Sequence, residues 1–129
     1  MGGPTRNKRL ERLRLAENAA REAQRKADVL ACEAWNERMT LDGGPAQPSP
    51  SIRAALNAGY RFLRVRCSAC RTRAYVDLGS VRRRSATPIW AIEGALACDP
   101  CRGAGRRAPR ATIEALARGR RSQWPAING

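Results

Sequence analysis

The stretch Leu63-Arg64-Val65-Arg66-Cys67-Ser68-Ala69-Cys70-Arg71-Thr72-Arg73-Ala74-Tyr75-Val76-Asp77-Leu78 decides the fold. Leu63, Val65 and Cys67 point one way, and Phe62, Arg64 and Arg66 the other, the period of two of a half-buried strand. Arg73 to Leu78 repeats the pattern, with Ala74, Val76 and Leu78 on one face and Arg73, Tyr75 and Asp77 on the other. Two strands flanking one cysteine pair predict a hairpin. A second pair follows at Leu96-Ala97-Cys98-Asp99-Pro100-Cys101.

Both pairs are C-x-x-C, separated by 27 residues. Two residues between cysteines let a tight turn aim both sulfurs at one ion, and two such turns supply a tetrahedral set. The chain contains no histidine, so the site is four-cysteine or absent. Cys67, Cys70, Cys98 and Cys101 are therefore the expected ligands of one structural Zn2+. Four thiolates leave no open position for a catalytic water. Arg66, Arg71 and Arg102 flank the pairs and can offset the negative charge of the centre. Redox-active pairs would want a strand–helix–strand context that neither pair has, disulfides would want an exported protein, and an iron centre would use the same thiolates. Cys32 has no second cysteine nearby and reads as a small helix residue.

This pattern resembles the zinc-ribbon class and is similar to short bacterial proteins that carry one such ribbon. The likeness spans roughly residues 60–105. It implies a metal-stapled hairpin and leaves the task open, since ribbons serve transcription, translation, replication and scaffolding. Ribbons often place glycine after the second cysteine of a pair, where this chain has Arg71 and Arg102. An arginine held at positive φ costs about 1 kcal/mol. The gap also exceeds the commoner spacing, which an insertion over 82–93 accounts for.

Outward from the ribbon, residues 6–39 read as one long helix, with Thr5 as its cap and no proline or glycine before Gly43. Leu13, Ala16, Ala20, Ala23, Ala27, Leu30 and Ala34 line one face at alternating spacings of three and four. That stripe offers a shallow surface for a partner helix, self-association included, or lies solvated. Trp35, Met39 and Leu41 are the expected anchors to the ribbon. Residues 43–51 form a Pro/Gly linker, and Ser51 to Ala58 a short helix stopped by Gly59. Thr87-Pro88 opens a short helix through Glu93. Ala95 to Cys98 is the expected third strand, and Thr112 to Arg118 a short helix ahead of a basic tail with Trp124-Pro125. The fold class is thus small α+β: an N-terminal helical arm (1–42), a linker (43–51), a zinc-ribbon domain (52–110) and a short helix with tail (111–129).

The formal charge of +14 is uneven. Residues 1–42 hold nine basic and seven acidic groups, and residues 43–129 hold sixteen and four. Such an excess fits nucleic acid or an acidic protein surface as partner. Phe62, Arg64, Arg66, Arg73 and Tyr75 form a candidate nucleic-acid face, joined by Arg82, Arg83 and Arg84 and by Arg106 and Arg107. Each cluster also reads as solvated surface, and Phe62 and Tyr75 as a second small core. The leading reading is a nucleic-acid-binding or regulatory accessory protein; the alternative is a protein–protein interaction module that uses arm and ribbon as a scaffold. No enzyme is expected: Asp77, Glu93, Asp99 and Glu114 show no paired spacing, and no nucleophile has an adjacent base. No run of some 20 apolar residues and no secretory leader is present, which predicts a cytoplasmic address.

Overall fold

A computed structural model describes residues 4–105 and 110–119 of the chain. The order is α1 (Pro4–Asp42), α2 (Ile52–Asn57), β1 (Phe62–Cys67), β2 (Arg73–Asp77), 3-10 turns at Leu78–Ser80 and Ile89–Ala95, α3 (Asp99–Gly103) and β3 (Ala111–Ala117). The three strands form one antiparallel sheet in the order β2-β1-β3. The fold is the expected small α+β type. No helix among the described residues is long and apolar enough to cross a membrane.

The hairpin follows the alternation. Phe62 pairs with Asp77, Arg64 with Tyr75 and Arg66 with Arg73. Leu63, Val65, Cys67, Ala74 and Val76 are buried on the inner face. The third strand departs from expectation. Residues 112–117 are not a helix but part of the strand β3, while Ala95–Cys98 contributes only an isolated bridge between Ala97 and Arg110. Along β3, Val65 faces Ile113 and Arg64 faces Ala115, so Glu114 is the extra residue of a bulge.

An edge strand leaves backbone groups unpaired, and here side chains take up three of them. The Leu116 N–H donates to Asn36 Oδ1 at 2.8 Å, and Asn36 Nδ2 donates to the Leu116 carbonyl at 3.0 Å. The Ile113 N–H donates to Glu93 Oε2 at 3.1 Å.

The helix docks through Cys32, Trp35 and Met39, all buried, with Val29 packed beside them. Leu41 is 81% exposed and anchors nothing, and Pro4 is already helical, so Thr5 is not the cap. Residues 43–51 fold back over this end of α1: Trp35 Nε1 donates to the Ala46 carbonyl at 2.9 Å, and Ala46 and Pro50 are buried. Gly43, at φ +71, closes the helix with its N–H on the Met39 carbonyl. Ser51 caps α2 by accepting from the Ala54 N–H, and Gly59 at φ +88 ends that segment.

Asp77 is the one buried charged residue among those described. Arg61 meets it with two bonds of 3.0 Å, and the Gly79 N–H and Ser80 hydroxyl donate to it as well. The bonds from Arg61, ahead of the other contributions, hold the carboxyl below its usual 3.8. A carboxyl with a depressed folded pKa stabilises above its unfolded value and loses that contribution as pH falls through the folded one. Asp77→Asn should therefore lower Tm by a few degrees at neutral pH. The gap to the wild type should begin to close as pH drops below about 5 and go on closing as it falls through the depressed folded value, as thermal melts down the acid range would record.

Candidate metal centre

The two cysteine turns use different local structures to aim their sulfurs. Cys67 ends β1; the Arg71 N–H returns to its carbonyl at 3.1 Å, and the Cys67 N–H donates to the Thr72 carbonyl at 3.0 Å. That tight turn needs a left-handed residue, and Arg71 takes it at φ +62, as the missing glycine foretold. At the second pair Cys98 is the N-cap of α3, so Arg102 is helical and carries no such strain. Gly105 adopts the positive φ there instead.

The four sulfurs of Cys67, Cys70, Cys98 and Cys101 all lie within 4.8 Å of one another. Cys67 Sγ is 3.8 Å from Cys101 Sγ, and Cys70 Sγ is 3.6 Å from Cys98 Sγ. A tetrahedron with metal–sulfur bonds of ~2.3 Å has an edge of about 3.8 Å. The set therefore fits one ion, and every cysteine is free of disulfide. Backbone N–H groups already point at the sulfurs: Ala69 and Cys70 donate to Cys67 Sγ at 3.3 and 3.4 Å, and Cys101 donates to Cys98 Sγ at 3.5 Å. These donors stabilise thiolate character.

The thiols are not equivalent. Burial pushes Cys98 up to about 12 and raises Cys101, while the Thr72 hydroxyl, 3.1 Å from Cys70 Sγ, leads in pulling exposed Cys70 down to about 6. An ion entering this set displaces the protons of the buried thiols. Of the flanking arginines, Arg66 turns to Glu114 and Arg102 lies 3.6 Å from Asp99. Cys32, buried in α1 with its thiol raised to about 11 by burial, stands outside the cluster.

On the outer face of the sheet the structure brings Arg64, Arg66 and Arg73 together around Glu114. Their Nε atoms lie 3.2, 3.3 and 3.1 Å from its carboxylate. Arg64 and Arg66 meet it at ion-pair distance without hydrogen-bond geometry at Nε. Phe62 and Tyr75 are half-buried on the same strands. Glu114 was hidden from sequence reasoning by the helix expected at 112–118; the alternation Ala111, Thr112, Ile113, Glu114 was the available signal. Arg82, Arg83 and Arg84 are exposed in a separate loop that hydrogen-bonds to α2 through Arg53 N–H to the Ser85 carbonyl at 2.8 Å. Arg106, Arg107 and the tail with Trp124 lie outside the described residues. Comparison with protein-family models, with curated proteins and with solved structures returns no match for this chain.

Proposed function

We propose that the chain is a non-enzymatic, structural-zinc protein of the ribbon type whose arginine-rich half binds nucleic acid as an accessory factor. The zinc assignment rests on the thiolate tetrahedron, because four sulfur donors at that spacing suit Zn2+ and saturate it. The nucleic-acid assignment rests on one observation: three arginines gathered on a strand face around a single carboxylate, with Phe62 and Tyr75 half-buried at one end of the cluster. That face keeps a net charge of two positives within a half of the chain carrying +12. Guanidinium groups there meet phosphates, and affinity comes mainly from counterion release.

The test is a titration of zinc-loaded protein with single- and double-stranded oligonucleotides at two salt concentrations. Binding should weaken steeply with salt. Arg64→Gln with Arg73→Gln should reduce the slope of log K against log salt by about 1.5 while Tm changes little. Weak, salt-insensitive binding to every oligonucleotide would sink this reading and favour an acidic protein surface as the partner.

A further inference from the structure

The helix α1 outruns the body it docks on. Every residue from 5 to 27 is exposed, a free length of about 35 Å. Leu10 and Leu13 lie there, 48% and 54% exposed. The body takes the face of Cys32, Trp35 and Met39. Leu13, Ala16, Ala20, Ala23, Ala27, Leu30 and Ala34 lie on average about 125° round the helix from it. Leu30 on this side is 64% exposed. A second helix can therefore lie along the whole stripe, meeting the body only where residues 48–50 come up beside Ala34.

The charges on α1 say which helix. Residues 5–14 carry five basic groups (Arg6, Lys8, Arg9, Arg12, Arg14) and one acidic, Glu11. Residues 28–42 carry four acidic groups (Asp28, Glu33, Glu37, Asp42) and one basic, Arg38. Cations at the N-terminal end and anions at the C-terminal end run against the helix macrodipole. The first turn holds no acid and the last turn no base. Among the described residues the only ion pair on α1 is Arg21 with Glu17 in its middle. An arrangement unfavourable within one helix becomes favourable when a second copy is laid against it head to tail.

We infer that α1 pairs with α1 of a second copy of this chain as an antiparallel two-helix dimer. In the register that sets Leu13 against Leu30 of the second copy, Ala16 meets Ala27 and Ala20 meets Ala23. Arg6 then falls opposite Glu37, and Arg12 flanks Glu33, each contact occurring twice by symmetry. Leu10 comes to Ala31, beside a hollow of about 250 Å³ lined by Ala31, Ala34, Trp35, Arg38, Pro48 and Pro50. That hollow suits an incoming leucine. A parallel pair would instead set Arg6 on Arg6, Arg9 on Arg9 and Glu37 on Glu37, and bring two strongly basic bodies to one end.

Sedimentation equilibrium of the zinc-loaded full chain across the micromolar range tests this. The expected mass is twice the 14.2 kDa of one chain. Arg6→Glu with Arg12→Glu sets acid against Glu37 and Glu33 and should raise the dimer Kd at least about tenfold. Acids near a helix start support the helix, so circular dichroism should show no loss of helicity. Adding Glu33→Arg and Glu37→Arg should restore the dimer. A monomer at every concentration overturns the inference. So does a dimer indifferent to the double reversal, or one that the fourfold variant fails to restore, as a parallel pair would.

Discussion

Replacing Cys98 with serine should cut bound zinc from about one ion per chain to near zero and abolish cooperative melting of the sheet. Cys98 is buried, its sulfur accepts the Cys101 N–H, and it stands 3.6 Å from Cys70 Sγ. Zinc bound by such sites contributes roughly 10–16 kcal/mol of apparent binding free energy, as much as the ~5–15 kcal/mol net stability of a whole domain. A strong chelator on the wild-type protein should have the same effect. Cys32→Ala should leave the zinc content at one, because that thiol lies on α1 outside the cluster. Metal analysis and thermal melts read all three. A coloured, iron-loaded protein, or a Cys98→Ser variant that melts like the wild type without metal, would remove the basis for the zinc assignment.

The second large effect belongs to Trp35→Ala. Trp35 is 2% exposed, joins α1 to the inner core with Cys32 and Met39, and donates to the Ala46 carbonyl. Truncating a buried tryptophan costs about 3–5 kcal/mol, and the orphaned carbonyl adds to it. In a body of this size that is a fall in Tm of roughly 15–30 °C. Residues 43–51 should become protease-sensitive in the variant, since their hold on α1 runs through this ring. Trp90→Ala is the control: Trp90 is 37% exposed, and its loss should move Tm by only a few degrees.

Much of this was legible because local chemistry and tertiary structure agree. The period of two in Leu63, Val65 and Cys67 is the buried face of β1, and Ser51 and Gly59 bracket α2 as turn chemistry demands. The cysteine spacing located the cluster of four sulfurs because each pair is aimed by one short turn. What escaped was non-local. Along β3 the bulge at Glu114 puts the buried Ile113 and Leu116 three apart, which mimics a helix, and alanine, glutamate and leucine favour one too. Pairing with β1 overrides that propensity. On α1 the expected anchors Trp35 and Met39 do make the dock, while Leu41 stays exposed and Cys32, read only as a small helix residue, is buried beside them. The gathering of three arginines on Glu114 depends on the same strand and could not be read without it.

The position of β3 bears on how quickly this chain finds its native state. Ser68 and Arg110, which bond where β1 meets β3, are 42 positions apart. Bringing such distant segments together slows a search in proportion to the chain entropy surrendered. Cys70 and Cys98 are 28 apart, so an ion that grips both turns has closed most of the span before β3 forms. The last strand then explores only the short tether beyond Cys101. An ion bound there would act as a kinetic shortcut as well as a clamp, and refolding with zinc present from the start should outpace refolding in which zinc is added late.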